Sequence, residues 1–277
     1  MSITPIEIQC LDKGFVRLID VMGDDNSIVQ AARVSYGAGT KRLSEDRGLI
    51  RYLLRHQHTT PFEMVEFKFH IKLPIFIARQ WIRHRTANVN EYSGRYSEMK
   101  DEFYVPSLEN IRPQSTMNKQ GRSDETFPTE QAEAIAEKFA ASQDQMYAEY
   151  RELLEMGVAR EIARINLPVS NYTEWYWKID LHNLFHFLKL RIDAHAQYEI
   201  RVYGEAMASI VKEIVPVAWE AFEDYVLHSH KLSRIEAKAI MSMLGELPSD
   251  ETLAAAGLKG REAIEFKEKF NKMKNLK

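Results

Sequence analysis

One cysteine in 277 residues excludes an internal disulfide and any metal site built from paired thiolates. Cys10 stands in a strand pattern, with Ile6 and Ile8 alternating with Glu7 and Gln9, so it is expected to pack in the core and not to act as a nucleophile. Long apolar runs are also missing: nothing approaches the roughly 20 residues that a membrane-spanning helix needs. The opening MSITPIEIQCLDKG carries no basic stretch followed by an apolar one, and a cytoplasmic location with no membrane partner is the expectation. No G-x-G-x-x-G follows a strand, which excludes a Rossmann dinucleotide site, and no H-E-x-x-H is present. A surplus of one charge is lacking too. With 37 Lys and Arg against 40 Asp and Glu, the net charge of −3 offers no global attraction to nucleic acid, so an anionic substrate must be held by locally clustered cations.

Such a cluster is present. Arg83-His84-Arg85 follows the apolar lead Pro74-Ile75-Phe76-Ile77-Ala78, and Arg79 and Arg95 lie close by in sequence. Arginine at this density supplies rigid, forked donors that match phosphate and carboxylate oxygens two at a time. The stretch RHRTANVNEYSGRYS therefore reads as an anion site at a helix-to-strand junction. Gln80 and Arg83, three apart on a helix, share a face. Glu91, Ser93 and Arg95 are two apart, so an extended backbone would point all three the same way.

Around this segment the pattern is that of a soluble globular α+β protein, 45% hydrophobic and 28% charged. Strands are expected near Cys10, over 16–21 and over 65–73, where Val65, Phe67, Phe69, Ile71 and Leu73 alternate with polar residues. Residues 171–178 are aromatic and β-prone. Helices are expected over 27–34, 44–55, 74–84, 128–156 (closed by Gly157), 181–190 and 195–215, with another after Pro216. The polar stretch 106–127 is long for a loop in a compact domain, and reads either as a cover for a substrate or as a surface insertion. No domain linker is evident before about residue 230. From there to Lys277 the chain is charged and helical in character, giving a division into 1–229 and a C-terminal extension, 230–277.

The chain resembles the flavin-dependent thymidylate synthases. Their signature, RHR followed after seven residues by Ser, stands here as Arg83-His84-Arg85 to Ser93. The likeness continues through AARVSYG at 31–37, HTTPFE at 58–63, FIARQWIRHR at 76–85, NEYSGRYS at 90–97, REIARINLP at 160–168 and LRIDAHAQYE at 190–199. Several separated blocks in the family's order are far more specific than one short pattern. The resemblance implies an α+β fold, a mixed sheet of antiparallel strands packed with long helices, in a single catalytic domain (1–229) that assembles as a homotetramer with sites between subunits. It implies reductive methylation of dUMP to dTMP, with FAD as cofactor, and NADPH and methylenetetrahydrofolate as co-substrates. It implies that Gln80, Arg83, Glu91, Ser93, Gly94, Arg95, Arg164 and Arg191 bind dUMP, with Arg191 stabilising charge on the uracil. For FAD it implies Ser35, His58, Thr60, Glu63, Arg83, His84, Arg85, Glu91, Asp180, His182, His186 and His195.

Other readings of the same residues stay open on sequence alone. Arg191 could instead pair with Asp193, since a partly buried guanidinium needs an anion. Ser93 has no Ser-His-Asp context and reads as a donor to a nucleotide, not as a nucleophile. His182 and His186, four apart on a helix, have a spacing that can ligate zinc and would support a metal-dependent hydrolase, although no metal is expected. A nucleotide-binding regulator without turnover would keep the phosphate clamp and lose the flavin.

Overall fold

In the computed structural model residues 6–34, 43–117, 119–244 and 246–275 are described, and the chain divides into two compact units, Met1–Leu227 and His228–Lys277. Ser35 lies outside the described residues. The first unit is organised on strands β1 (Glu7–Cys10), β2 (Gly14–Met22), β3 (Glu66–Pro74), β4 (Asn88–Glu91) and β5 (Tyr172–Asp180). They form one sheet in the order β1-β2-β3-β5-β4, and every pairing is antiparallel. Alternation along the strands, shifted once in β2 between Leu18 and Asp20, makes the sheet two-faced. Val16, Leu18, Phe67, Phe69, Ile71, Leu73, Trp175, Trp177 and Ile179 are buried on one side. On the other side His70 bonds Glu174 at 3.0 Å and Lys178 bonds Glu66 at 2.9 Å.

The helices of this unit are α1 (Asp25–Val34), α2 (Leu43–Arg55), α3 (Ile75–Trp81), α4 (Thr129–Glu155), α5 (Arg160–Ala163), α6 (Leu181–Arg191), α7 (Tyr198–Ile214) and α8 (Pro216–Phe222). The apolar faces of α6 and α7 close over the buried side of the sheet, with Leu184, Phe187, Leu188, Tyr203, Met207 and Val211 in the core. α4 packs elsewhere, contributing Tyr150 to a smaller cluster with Met99 and Ala163. Gly157, at φ +84°, turns the chain after α4 in a conformation that a residue with a Cβ rarely adopts.

Three local expectations change. α3 stops at Trp81, not His84: Ile82 N still donates to Ala78 O, but Arg83 N and His84 N reach back only three residues, to Gln80 O and Trp81 O, which tightens the chain into a turn. β4 ends at Glu91, so Glu91, Ser93 and Arg95 are not on one extended strand. Tyr96 N and Ser97 N both donate to Ser93 O, folding residues 93–97 into a turn. α7 begins at Tyr198, not His195, because the Asp193 carboxylate accepts from His195 N at 2.8 Å and holds a separate turn there.

The second unit is helical: α9 (Arg234–Met243), α10 (Asp250–Ala255) and α11 (Gly260–Lys274). Ser233 and Glu236 form a reciprocal capping box at the start of α9, and Ser249 caps α10 through Thr252 N. α11 packs on both preceding helices. Among the described residues of the chain no helix is long and apolar enough to cross a membrane.

Candidate active site

The Arg83-His84-Arg85 turn is held from below by Trp81. Its indole is fully buried and meets the rings of Trp175, Trp177, Phe187 and Tyr203 at centroid distances of 5.7, 5.3, 4.6 and 6.0 Å. Removing a side chain of that size from such a nest typically costs about 3–5 kcal/mol. The aromatic β5 strand and the apolar face of α6 therefore do more than fill a core. They fix the point from which the arginines leave the fold.

Above that point an open cleft of about 350 Å³ is lined by Arg83, His84, Arg85, Asn183, His186 and Arg191, with Thr86, Ile179 and Leu190 completing the wall. Asn183, His186 and Leu190 recur at i, i+3 and i+7, so α6 presents one stripe to the cleft while Leu181, Leu184, Phe185 and Leu188 face the core. Asp180 starts the helix: its carboxylate accepts from Asn183 N at 2.9 Å and from Asn183 Nδ2 at 2.7 Å. It thereby aims the Asn183 amide, a residue that the sequence reading passed over.

Arg191, at the last turn of α6, donates from Nε to His84 Nε2 at 3.0 Å. Burial, the Arg191 charge and His186 together push the His84 pKa down to about 4, so the imidazole is neutral at neutral pH and can accept. His186 packs edge-on against the same ring at 5.8 Å. Burial also lowers the Arg191 pKa, without discharging it. The Arg191–Asp193 pair does not form. Asp193 instead binds His195 Nδ1 at 2.9 Å, and that bonding with the His195 amide holds its carboxyl below the usual range. Among the described residues no carboxylate pairs with Arg83, Arg85 or Arg191. Three guanidinium groups beside one cleft, with no carboxylate partner among the described residues, are an arrangement that can hold an anion.

A second group of the anticipated residues gathers at the 93–97 turn. Gly94 is buried under Arg164: a methyl added there would lie 3.0 Å from Arg164 Nη1 and 2.7 Å from Met99 Sδ. Arg95 pairs with Glu161 of α5 at 2.8 Å, and Ser93 Oγ accepts from Arg95 N at 3.3 Å. Glu91 accepts from Thr173 Oγ1 at 2.8 Å. Among the described residues no histidine bonds Ser93 Oγ, which leaves it without a base to make it a nucleophile. Gln80 lies one turn before Arg83 and donates to Gln197 Oε1.

Among the described residues the remaining anticipated flavin contacts do not line this cleft. Thr60 and Glu63 lie in a 3-10 turn, Thr60–Met64, with His58 just before it. His182 sits one turn before His186 on α6, and the His195 side chain is 88% exposed beyond its end. Nor do the histidines gather: among the described residues no three His, Cys, Asp or Glu side chains surround a point where a metal could sit. Cys10 is buried, and that burial pushes its thiol up to about 12, far from the thiolate a nucleophile needs.

Residues 17–217 match the family model described as thymidylate synthase complementing protein. The flavin-dependent thymidylate synthase of Rickettsia conorii is 57% identical over 258 residues, covering 88% of this chain and 88% of that protein. That of Thermus thermophilus is 57% identical over 264 residues, covering 94% and 96%. A solved structure of the UMP/dUMP methylase PolB from Streptomyces cacaoi, bound with 5-Br UMP, superposes with a TM-score of 0.71 at 35% identity, covering 80% of this chain and 99% of that one. A family model matched over residues 17–217, with 57% identity over most of the length of such relatives and a matching fold, leaves a single assignment: the chain belongs to the thymidylate synthase complementing protein family, the flavin-dependent thymidylate synthases.

Proposed function

We propose that the protein converts dUMP to dTMP by reductive methylation, taking its one-carbon unit from methylenetetrahydrofolate and its reducing equivalents from NADPH through bound FAD, and releasing tetrahydrofolate. The observation that carries this reading is the set of guanidinium groups, Arg83, Arg85 and Arg191, that share one cleft without a carboxylate partner among the described residues. The relatives named above are flavin-dependent thymidylate synthases, and the structural neighbour is a UMP/dUMP methylase.

The donor set fits a flavin nucleotide. Arg83 and Arg85 suit its phosphates, the Asn183 amide and the neutral His84 suit the polar edge of a ring, and Ile179 and Leu190 suit its apolar face. His186, Glu91, His58, Thr60, Glu63, Asp180, His182 and His195 are further proposed contacts. When bound, flavin supplies the two-electron chemistry that no side chain of this protein can perform. The chain's own part is binding, orientation and charge. Ser93, Gly94, Arg95 and Arg164 hold the nucleotide's phosphate and sugar, Gln80 and Glu91 flank them, and Arg191 stabilises negative charge that develops on the pyrimidine. The neutral His84 keeps Arg191 in place without competing for its charge.

The two groups of residues, one around Arg191 and one around Arg164, also support sites shared between subunits of a homotetramer, because only the first group lines the cleft of a single chain. The visible absorption spectrum of the purified protein tests the reading against its rivals. Flavin bands that shift on adding dUMP support it. A colourless protein that takes up no added FAD, and hydrolyses its substrate only with zinc, would replace it with the metal-dependent hydrolase.

A further inference from the structure

A buried carboxylate, Glu199, stands outside the cleft and has no part in the chemistry above. It lies in the first turn of α7 and is only 3% exposed. It accepts from Arg122 Nη2 at 2.5 Å, from Tyr104 OH at 3.1 Å and from Gln197 Nε2 at 2.9 Å. Arg122 belongs to the polar 106–127 stretch, which closes into a small hairpin through Ser115 N to Gly121 O and Ser123 N to Pro113 O, both at 2.8 Å. Arg122 is fixed within it by donating to Asn110 O at 2.9 Å. The stretch is therefore tied to the body of the protein by an ion pair between Arg122 and Glu199.

A carboxylate paired with a guanidinium can only accept hydrogen bonds. Any amide facing it must present its NH2 group. Gln197 accordingly turns Nε2 to Glu199 and Oε1 away, and Gln80 Nε2 donates to that oxygen. Two amides in series are thus polarised by one charge. Gln80 is left with Oε1 as the group not engaged by Gln197, an acceptor beside the Arg83 turn, while Glu91 gives one of its carboxylate oxygens to Thr173.

We propose that Glu199, clamped by Arg122, is a positioning residue: it sets the direction of the Gln197 and Gln80 amides, so that Gln80 meets the nucleotide with an acceptor and selects a ligand N–H or O–H donor. The proposal rests on the nucleotide reading of the site. A dUMP molecule offers two such donors, the imide N3–H of the base and the 3′-hydroxyl, whereas its phosphate dianion offers none.

Calorimetric titration of the full-length protein with dUMP, dCMP and 2′,3′-dideoxyuridine monophosphate tests it. Wild type should bind dUMP and should bind one of the two analogues at least tenfold more weakly: dCMP if N3–H is read, the dideoxynucleotide if the hydroxyl is. In Glu199→Gln, and in Gln197→Met, whose side chain lies at the surface, dUMP affinity should fall about tenfold and the preference over that analogue should collapse. Gln80→Leu should do the same, and adding Gln197→Met to it should cost nothing more. Unchanged preference in Gln197→Met, or a wild type that binds all three nucleotides alike, would overturn the relay while leaving the nucleotide site standing. A wild type that binds no dUMP would overturn both.

Discussion

Arg191 Nε donates to His84 Nε2 across 3.0 Å, joining the last turn of α6 to the centre of the Arg-His-Arg turn. A guanidinium has no acceptor, so the contact assigns His84 as the neutral tautomer with its proton on Nδ1. Its depressed pKa, about 4, has a stability consequence. An unfolded histidine protonates near 6.5, so below that pH the unfolded chain gains a proton that the folded one refuses. The contribution of neutral His84 is complete above about pH 6.5 and is lost as the pH falls toward 4. Chemical denaturation of the protein should show stability rising with pH through that window, and His84→Gln, which keeps an acceptor for Arg191, should flatten the rise.

Arg191→Ala should be almost inactive while remaining folded, since loss of one fixed partner for developing charge typically costs roughly a hundredfold or more in rate. Arg191→Lys should recover only part of it, because a flexible ammonium replaces neither the planar fork nor the bond to His84. Steady-state rates with both variants check this. Near-normal turnover in Arg191→Ala would return the residue to a structural role.

Gly94→Ala places a methyl 2.7 Å from Met99 Sδ and 3.0 Å from Arg164 Nη1. Met99 Sδ must shift and the Arg164 guanidinium must give by a few tenths of an ångström, which disturbs the alignment that a forked phosphate contact needs. A rise in the dUMP dissociation constant of about tenfold or more is expected, with little change in bound flavin. Unaltered dUMP affinity would separate Arg164 from the nucleotide.

Cys10→Ala should keep most of the activity. The thiol is buried and its pKa is pushed up to about 12 by that burial, so iodoacetamide at pH 8 should leave the folded protein unmodified. Mass spectrometry of the treated protein reads the outcome, and a nucleotide adduct trapped on Cys10 would contradict it.

Co-expression of inactive Arg164→Ala and Arg191→Ala chains should restore part of the activity, because some shared sites would then receive both native arginines. Mixed oligomers that form and stay inactive would place both arginines in the same subunit's half of the site.

Much of this was legible in the sequence because it follows from period and volume. The alternation of β3, the amphipathic run of α4 and the Arg-His-Arg turn between helix and strand are each local patterns. What was not legible depended on hydrogen bonds between neighbours or on tertiary contacts. The Ser93-to-Arg95 turn reads as strand until Ser93 O takes two amides. His195 reads as helix until Asp193 captures it. Asn183 was within reach, since it falls at the i+3 position after a capping Asp180 and on the stripe of His186. Glu199 was not, because its partners Arg122 and Tyr104 are 77 and 95 residues away in sequence.

The most direct measurement is the product itself. Purified protein supplied with FAD, NADPH, methylenetetrahydrofolate and dUMP should yield dTMP by chromatography and mass, with formation abolished when any one co-substrate is omitted and unaffected by a metal chelator. Flavin-loaded protein that binds dUMP yet forms no dTMP under these conditions would contradict the account.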